Sequence, residues 1–385
     1  MQRNVNGTKI GIVGTGFIAK GLYELLENSE AFTTSSVRSR RSATDIEGIN
    51  RELITNCNGE LIEKSDIIVV SNGNPIYTTP IVREAMEAGK PVVTMDSELH
   101  VTTGSYFVDK GYITEAEGDQ PGCLAILHNE ALDMGFKPLV YGNMKKYLNY
   151  NPDIESMKYW ARKSRISMEQ VTSFTDGTKV EIEQVLVANG LGADILPGGM
   201  AGGEKVYDEF AQGAYSLAEI AKENHIVMSD FLMCRNNSAA GVFIVAEQDQ
   251  TQHPYLAYYK MGDGPYYILE KPYHLCHFEI LKTLRNVVNG MPPLLTNSSR
   301  PKYSVAAIAK RGFKAGERIQ RGMGSFDVRG KGITIDSSPN HVPIGLLFEA
   351  QIKREIDEGD ALQFDDVILP DSEALQIWRE IIEKR

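Results

Sequence analysis

The sequence predicts an α/β protein: an N-terminal doubly wound parallel sheet, then an α+β catalytic domain, then a small, mostly-β module at the C-terminus. Three observations carry that prediction. Short buried-strand patterns alternate with helical ones through residues 1–120. A glycine-rich turn separates the first strand from the first helix. Beyond residue 300 the composition shifts to short extended segments and turns.

The opening element is "KIGIVGTGFIAKG", residues 9–21. Residues 9–13 are an apolar strand, and Gly14-x-Gly16-x-x-Ala19 follows at the spacing of a Rossmann dinucleotide fingerprint. Gly14 permits the tight turn, Gly16 lets the backbone approach a pyrophosphate, and Ala19 lets the helix pack closely on the strand. The helix over residues 17–28 turns its free N–H groups toward the phosphates, so Gly14, Thr15, Gly16, Phe17 and Ile18 are the expected cradle. "SDIIVVSNG" (65–73) is a buried strand ending in a polar turn, whose Ser71, Asn72 and Gly73 are expected along the cofactor. A helix over 76–88 and a second buried strand, "KPVVTM" (90–95), continue the alternation.

The second strand, "TTSSVRSRR" (33–41), bears on which nicotinamide is held. NAD sites place an Asp or Glu at this strand end for the ribose 2′-hydroxyl. Here it ends in Arg38, Ser39, Arg40 and Arg41, with no carboxylate. Three guanidiniums and a hydroxyl suit a 2′-phosphate, so the expected cofactor is NADP(H). A solvated basic loop is the other reading, which its position and the acidity of the chain disfavour.

A helix near 100–110 leads to a strand at 111–118, a helix near 121–135 and a strand at about 137–143. From 151 to about 230 the chain reads as helical with glycine-rich breaks. Strand-like runs follow at 239–247, 255–261 and 264–270, then a helix at 276–289. The stretch 289–304 is rich in Pro, Ser and Asn and reads as a linker. The expected domains are 1–120 for the dinucleotide, 121–295 for catalysis and substrate, 300–370 for the β module, and a closing helix over 371–385. The module contains two similar phrases, "FKAGERI" (313–319) and "IDEGDALQFDDV" (356–367).

Composition narrows the function. At 385 residues the chain fits two or three domains, and 42% hydrophobic with 24% charged residues is ordinary for a globular protein. A net charge of −11 gives no electrostatic case for nucleic acid. Apolar runs are too short to cross a bilayer, and "MQRNVNGTKI" lacks the apolar core of a signal peptide. Cys57, Cys123, Cys234 and Cys276 lie far apart and read as reduced thiols of a cytoplasmic protein.

Three blocks are candidates for chemistry. "TEAEGDQPG" (114–122) follows a predicted parallel strand, where such folds place ligands, and holds Glu115, Glu117 and Asp119. An ordinary acidic surface loop is its bland reading. In "SFTDGTKVEIEQ" (173–184), Asp176-Gly177 can cap the next helix, which begins with Lys179, Glu181 and Glu183. The two glutamates suit the helix dipole, whereas Lys179 at that end opposes it, which a substrate phosphate or enolate would explain. Hydride transfer to a carbonyl needs a proton donor near the oxygen, so Lys179 is the candidate donor or oxyanion partner, with Asp119, Glu117 and Asp176 as further catalytic candidates. "KMGDGPYYILEKPYHLCHFE" (260–279) includes His274-x-x-His277, which could set two imidazoles on one helical face; without a clear third ligand no metal residue is assigned.

These blocks, with "AMEAGKPVVTMDSEL", resemble the homoserine dehydrogenase-like oxidoreductases that carry a C-terminal SAF domain, in the branch of the 1-deoxy-D-xylulose 5-phosphate reductoisomerase-like enzymes. The resemblance spans roughly residues 9–370; the phrases at 305–319 and 355–369 look like the two halves of a SAF module. Homoserine dehydrogenases carry a catalytic lysine in Thr-Ala-Asn-Lys, where this chain reads Thr94-Met95-Asp96-Ser97. The resemblance therefore implies another acid, for which Lys179 is the natural substitute. It implies an NADP-dependent reduction of a small hydroxy-carbonyl compound such as a sugar phosphate, with rearrangement as one possibility and a divalent metal whose site is not located. A homodimer is expected by the same analogy. The alternatives are a simple polyol, sugar-phosphate or homoserine-type dehydrogenase, and a non-catalytic NADP-sensing or carbohydrate-binding protein.

Overall fold

The computed structural model describes residues 7–236 and 240–385. Its first sheet is six-stranded and wholly parallel, in the order β3-β2-β1-β4-β5-β6. The strands are β1 (Thr8–Val13), β2 (Phe32–Arg38), β3 (Ile54–Thr55), β4 (Ile67–Val70), β5 (Val92–Thr94) and β6 (Ile113–Glu115). Between them run α1 (Phe17–Glu27), α2 (Asn58–Lys64), α3 (Pro75–Glu87), and a helical passage made of α4 (Ser97–Leu99), a π-turn (His100–Gly104) and α5 (Ser105–Phe107). The order reverses between β1 and β4, which opens a crevice at the carboxyl ends of the strands. Register makes that edge straight: Arg38, Val13, Val70, Thr94 and Glu115 stand side by side across it.

Strand side chains alternate between two apolar layers. Ile10, Ile12, Val69 and Val93 pack with α1, and Val13, Ile68, Val70 and Val92 pack with α3. Each layer is finished by a helix from far downstream. Ile280 and Leu284 of α12 (Cys276–Val288) complete the first, and Ile377 and Ile381 of α13 (Glu373–Lys384) complete the second.

The second sheet is mixed, in the order β11-β10-β7-β9-β8. It comprises β7 (Lys137–Lys145), β8 (Val206–Tyr207), β9 (Met228–Cys234), β10 (Val242–Glu247) and β11 (Tyr266–Lys271). One face is covered by α10 (Phe210–Glu223), the other by α6 (Gln120–Asp133) and α9 (Thr178–Leu191). Every side chain of α9 from Thr178 to Ala188 except Lys179 is buried, because β12 (Tyr303–Ala309) and β14 (Val328–Thr334) pack on its remaining side. Two further helices, α7 (Ile154–Ser164) and α8 (Met168–Thr175), bridge β7 to α9. The C-terminal module adds β13 (Arg318–Arg321), β15 (Phe348–Ile352) and β16 (Val367–Ile368). Its two similar phrases pair with each other: Phe313 and Ile356 exchange backbone hydrogen bonds of 2.9 and 3.1 Å.

Five segments differ from the sequence expectation. The stretch from 151 to about 230, expected to be helical, also holds β8 and the start of β9, whose seven residues are all buried between the layers and so show no strand alternation. Residues 255–261 are not a strand; α11 (His253–Tyr258) occupies that stretch, with Pro254 in its first turn and Tyr255, Tyr258 and Tyr259 left in solvent. The run 33–41 leaves the sheet at Arg38, and 111–118 is extended only over Ile113–Glu115, since the sheet edge ends there. The stretch 289–304 is no free linker: Leu295 and Asn297 are buried, Leu295 donates to Thr114 Oγ1, and Asn297 holds the His100 carbonyl at 3.0 Å. Residue 239, the first of the run 239–247, lies outside the described residues.

Candidate active site

The glycine turn forms a cradle whose two glycines do different work. Gly14 has φ +125°, and a Cβ there would stand 2.2 Å from the Ser71 carbonyl oxygen, so the first and fourth strands meet at hydrogen-only distance. Gly16 faces open space: among the described residues nothing lies within 4 Å of where a Cβ would stand. It is the N-cap of α1, no side chain caps that helix, and its first turn holds no acid. Unsatisfied N–H groups under an open approach are what a pyrophosphate needs. Ser71 and Gly73 complete the lip: Ser71 donates to the Val13 carbonyl, and Gly73 donates to Asp96 Oδ2 at 3.0 Å. Asn72 lies between them. The residues present fit a dinucleotide.

At the β2 end the basic cluster divides its labour. Arg38 is tied down, donating to Asn58 Oδ1 at 2.8 Å and to the Ser39 carbonyl at 2.7 Å. Arg41 reaches back over the cradle and donates to Thr15 Oγ1 at 2.6 Å, while Ser39 is buried and holds the Arg41 backbone. Arg40 is exposed and stacks its guanidinium 4.6 Å from the Tyr77 ring centroid. Phe17, half exposed, and Ile18 follow in the first turn of α1.

The opposite half of the crevice lies beyond β5 and β6, and there Lys179 meets three carboxylates. Its Nζ is 3.2 Å from Glu98, 3.8 Å from Asp119 and 3.8 Å from Glu183, with 12% of its side chain exposed. Burial alone would push the ammonium toward neutrality, but Glu98, Asp119 and Glu183 overturn that and hold its pKa well above the ordinary value. This settles the unfavourable place of Lys179 at the start of α9. Burial raises Glu183 to about 7, against the pull of Lys145 and Lys179. Lys145, at the end of β7, lies 3.9 Å from Glu183 and is pushed down by burial.

Around this core the acids split into two protonation classes. Asp119 resists burial because Lys179 and a hydrogen bond from Glu115 keep it below its usual range; Ser97 Oγ also donates to it at 2.9 Å. Glu115 is pushed well up, by burial first and by the Asp119 charge second. Asp96 is likewise raised, by burial and then by Glu98. Burial holds His100 neutral, down to about 3. The arrangement places one ammonium, one ionised carboxylate and a neutral carboxylic acid in line, where a proton can be given and replaced.

The other sequence candidates have other partners. Glu117 faces away from that cluster, and its Oε1 takes Lys282 of α12 at 2.6 Å and Lys271, the last residue of β11, at 3.3 Å. Asp176 caps the Thr178 N–H at 2.9 Å and pairs with Lys310 at 2.6 Å. His274 and His277 do not converge: His274 precedes α12 and bonds the Ala240 carbonyl, while His277 stacks on Phe278 beside Gly21. Among the described residues no group of three His, Cys, Asp or Glu is set to hold a metal. Sequence reasoning missed Glu98, Lys145 and the partnership of Glu115 with Asp119. The position of Asp96-Ser97-Glu98 just past a parallel strand was the available signal for Glu98.

Two family models match the chain. Residues 118–280 match "Oxidoreductase DRL, catalytic domain", and residues 9–95 match "NADP oxidoreductase coenzyme F420-dependent". No curated protein matches. Among solved structures the chain is similar to a probable dehydrogenase from Thermotoga maritima, at 14% identity over 75% of this chain and 91% of that one, with a TM-score of 0.41. It is also similar to a biliverdin reductase in complex with biliverdin and NADP+ from Synechocystis sp. PCC 6803 (17%, 38% and 49%, 0.29) and to the UDP-N-acetylglucosamine 3-dehydrogenase GnnA from Acidithiobacillus ferrooxidans (11%, 39% and 52%, 0.30). The chain spans about half the length of the last two. With an oxidoreductase model matched on both the nucleotide sheet and the second sheet, the protein is an oxidoreductase that uses a nicotinamide dinucleotide. Among the described residues no helix is long and apolar enough to cross a membrane.

Proposed function

We propose that the protein is an NADPH-preferring reductase of a small, polar hydroxy-carbonyl compound, with a sugar phosphate as the substrate class. The observation that carries this reading is Lys179: an ammonium ringed by Glu98, Asp119 and Glu183 on the side of the crevice opposite the basic cluster. The bound nicotinamide supplies a hydride. Lys179 then donates a proton to the oxygen that becomes a hydroxyl, and Asp119 and Glu98 hold the ammonium in place. Arg40 and Arg41 recognise a 2′-phosphate, Arg40 as a free guanidinium and Arg41 from its seat over Thr15.

The resemblance to the 1-deoxy-D-xylulose 5-phosphate reductoisomerase-like branch supports a finer version, in which rearrangement of that ketose phosphate precedes reduction. NADPH absorbance is followed with a panel of ketose and aldose phosphates that includes 1-deoxy-D-xylulose 5-phosphate, and the carbon skeletons of the products are compared. Turnover lost in Lys179→Met, with NADPH binding kept, is the expected result. A Lys179→Met variant that reduces the same compound at the wild-type rate would remove the proposed acid.

A further inference from the structure

Behind Lys179 stands a second acid that the hydride-transfer reading leaves unused. Glu115 closes β6, has no exposed surface and shares a hydrogen bond with Asp119. Asp119 connects inward and outward at once, since it also lies 3.8 Å from Lys179 Nζ. From the helical passage His100 faces Glu115, with Nε2 3.4 Å from Oε2 but off the hydrogen-bond direction, and Asp96 adds its charge from beyond β5. Asp119 itself faces Lys179, Lys145, Glu183, His274 and Cys276. Thr94 Oγ1 donates to Glu115 Oε2 at 3.3 Å, and at the inner end both ring nitrogens of His100 and Oδ1 of Asn297, whose amide holds the His100 carbonyl, have no hydrogen-bond partner among the described residues. Buried groups left unpaired are costly, and their gathering behind Lys179, next to a π-turn, marks a polar cluster with a use beyond packing.

We propose that Glu115 stores the proton that recharges Lys179, handing it on through Asp119 after Lys179 has protonated the substrate oxygen. The proposal rests on Lys179 acting as the acid. In the reducing direction the substrate carbon gains the hydride and its oxygen gains an Nζ proton, leaving Lys179 an amine. Asp119 then takes the proton of Glu115 and gives one to Lys179. The Glu115 O–H bond breaks, the Lys179 N–H bond forms again, and only the hydride pair of electrons has changed hands. Glu115 is left as a carboxylate while the nicotinamide ring is cationic, so the charges offset, and it regains its proton when product release readmits water. A site that excludes water during hydride transfer needs such a reserve within its walls.

Infrared spectroscopy of the NADPH-loaded protein reads the stored proton directly, as the C=O band of a neutral carboxyl group. Asp96, Glu181 and Glu183 are also raised by burial and add to that band, so the readout is the wild-type minus Glu115→Gln difference spectrum, which is expected to hold a neutral-carboxyl band at neutral pH; Glu115→Gln keeps a donor to Asp119. In Lys179→Met the band is expected to persist to higher pH, by about one to three units, because an opposite charge has been removed. A difference spectrum without the band, or a Glu115 band unmoved in Lys179→Met when read against Lys179→Met/Glu115→Gln, overturns the proposal. On mixing with 1-deoxy-D-xylulose 5-phosphate as the probe, the band should bleach in step with NADPH. Oxidation of NADPH with the band intact also overturns the reserve. If this probe is not turned over, the finer substrate assignment fails, and the band with its Lys179→Met shift still decides the proposal.

Discussion

Lys310 Nζ lies 2.6 Å from Asp176 Oδ2, and this buried pair fastens the C-terminal module to the turn that starts the Lys179 helix. Lys310 also donates to the Ser325 carbonyl at 2.7 Å, so the ammonium is held from both sides of the junction. Removing one partner leaves an uncompensated buried charge. Lys310→Met is expected to lose about 3–5 kcal/mol of stability, and Lys310→Met/Asp176→Leu to recover much of it. Urea denaturation of the three proteins checks this, and a double variant no more stable than the single one would show that the pair is not the cause.

The two glycines of the cradle should separate folding from binding. Gly14→Ala forces a Cβ into the Ser71 carbonyl at a φ that L side chains rarely adopt, so it should destabilise the fold itself. Gly16→Ala puts a methyl group into open space at φ −81°, which any residue adopts. The thermal midpoint should hardly move while NADPH affinity falls by about tenfold or more, since the methyl occupies the pyrophosphate approach. Melting curves with and without NADPH distinguish the two outcomes; a Gly16→Ala protein that binds normally would remove the cradle assignment.

Arg40 and Arg41 should differ in what they lose. Arg40 has no hydrogen bond within the chain among the described residues and only stacks on Tyr77, so Arg40→Ala should weaken NADPH while leaving NADH unchanged. One charged hydrogen bond to phosphate is worth about 1.5–3 kcal/mol, roughly a tenfold to hundredfold change in affinity. Arg41 braces Thr15, so Arg41→Ala should weaken both cofactors. Fluorescence titration measures all four affinities. Equal effects of Arg40→Ala on NADPH and NADH would mean the loop does not read the 2′-phosphate.

What could be read from sequence follows the range of the forces involved. The glycine cradle was legible because its sterics are local, and Lys179 because a cation at a helix start is anomalous within one turn. Glu98 was not, since it reaches Lys179 from 81 positions away and only folding brings them together. Asp176 and Glu117 sit in acidic turns, and nothing local announces their partners Lys310, 134 positions on, and Lys282, 165 positions on. The tyrosine-rich 255–261 reads as strand by composition, yet Pro254 starts a helix there and the expected alternation of buried residues is absent.

His341 should make the C-terminal module sensitive to acid. It is fully buried, with Nε2 2.8 Å from Ser304 Oγ, Nδ1 2.7 Å from the Ser338 carbonyl, and Trp378 of α13 against its ring. Burial lowers its pKa from 6.5 to about 4, with the Ser338 carbonyl opposing. A histidine depressed in the folded state contributes stability that is full above its unfolded pKa. That stability is lost as pH falls from about 6.5 toward 4, because the unfolded chain takes up the proton first; the full span is worth about 3 kcal/mol. Glu181 and Glu183, both raised by burial to about 7, act oppositely: their contribution is full below the unfolded carboxylate pKa and lost as pH rises through 7. The useful measurement is therefore the difference between wild type and His341→Gln, in which the glutamates cancel. Urea unfolding at pH 7.5, about one unit above the unfolded histidine pKa, and at pH 5, inside the span between the unfolded and folded values, should show the wild-type advantage shrinking at the lower pH. An advantage that is the same at both values would mean that His341 keeps its ordinary pKa in the folded protein.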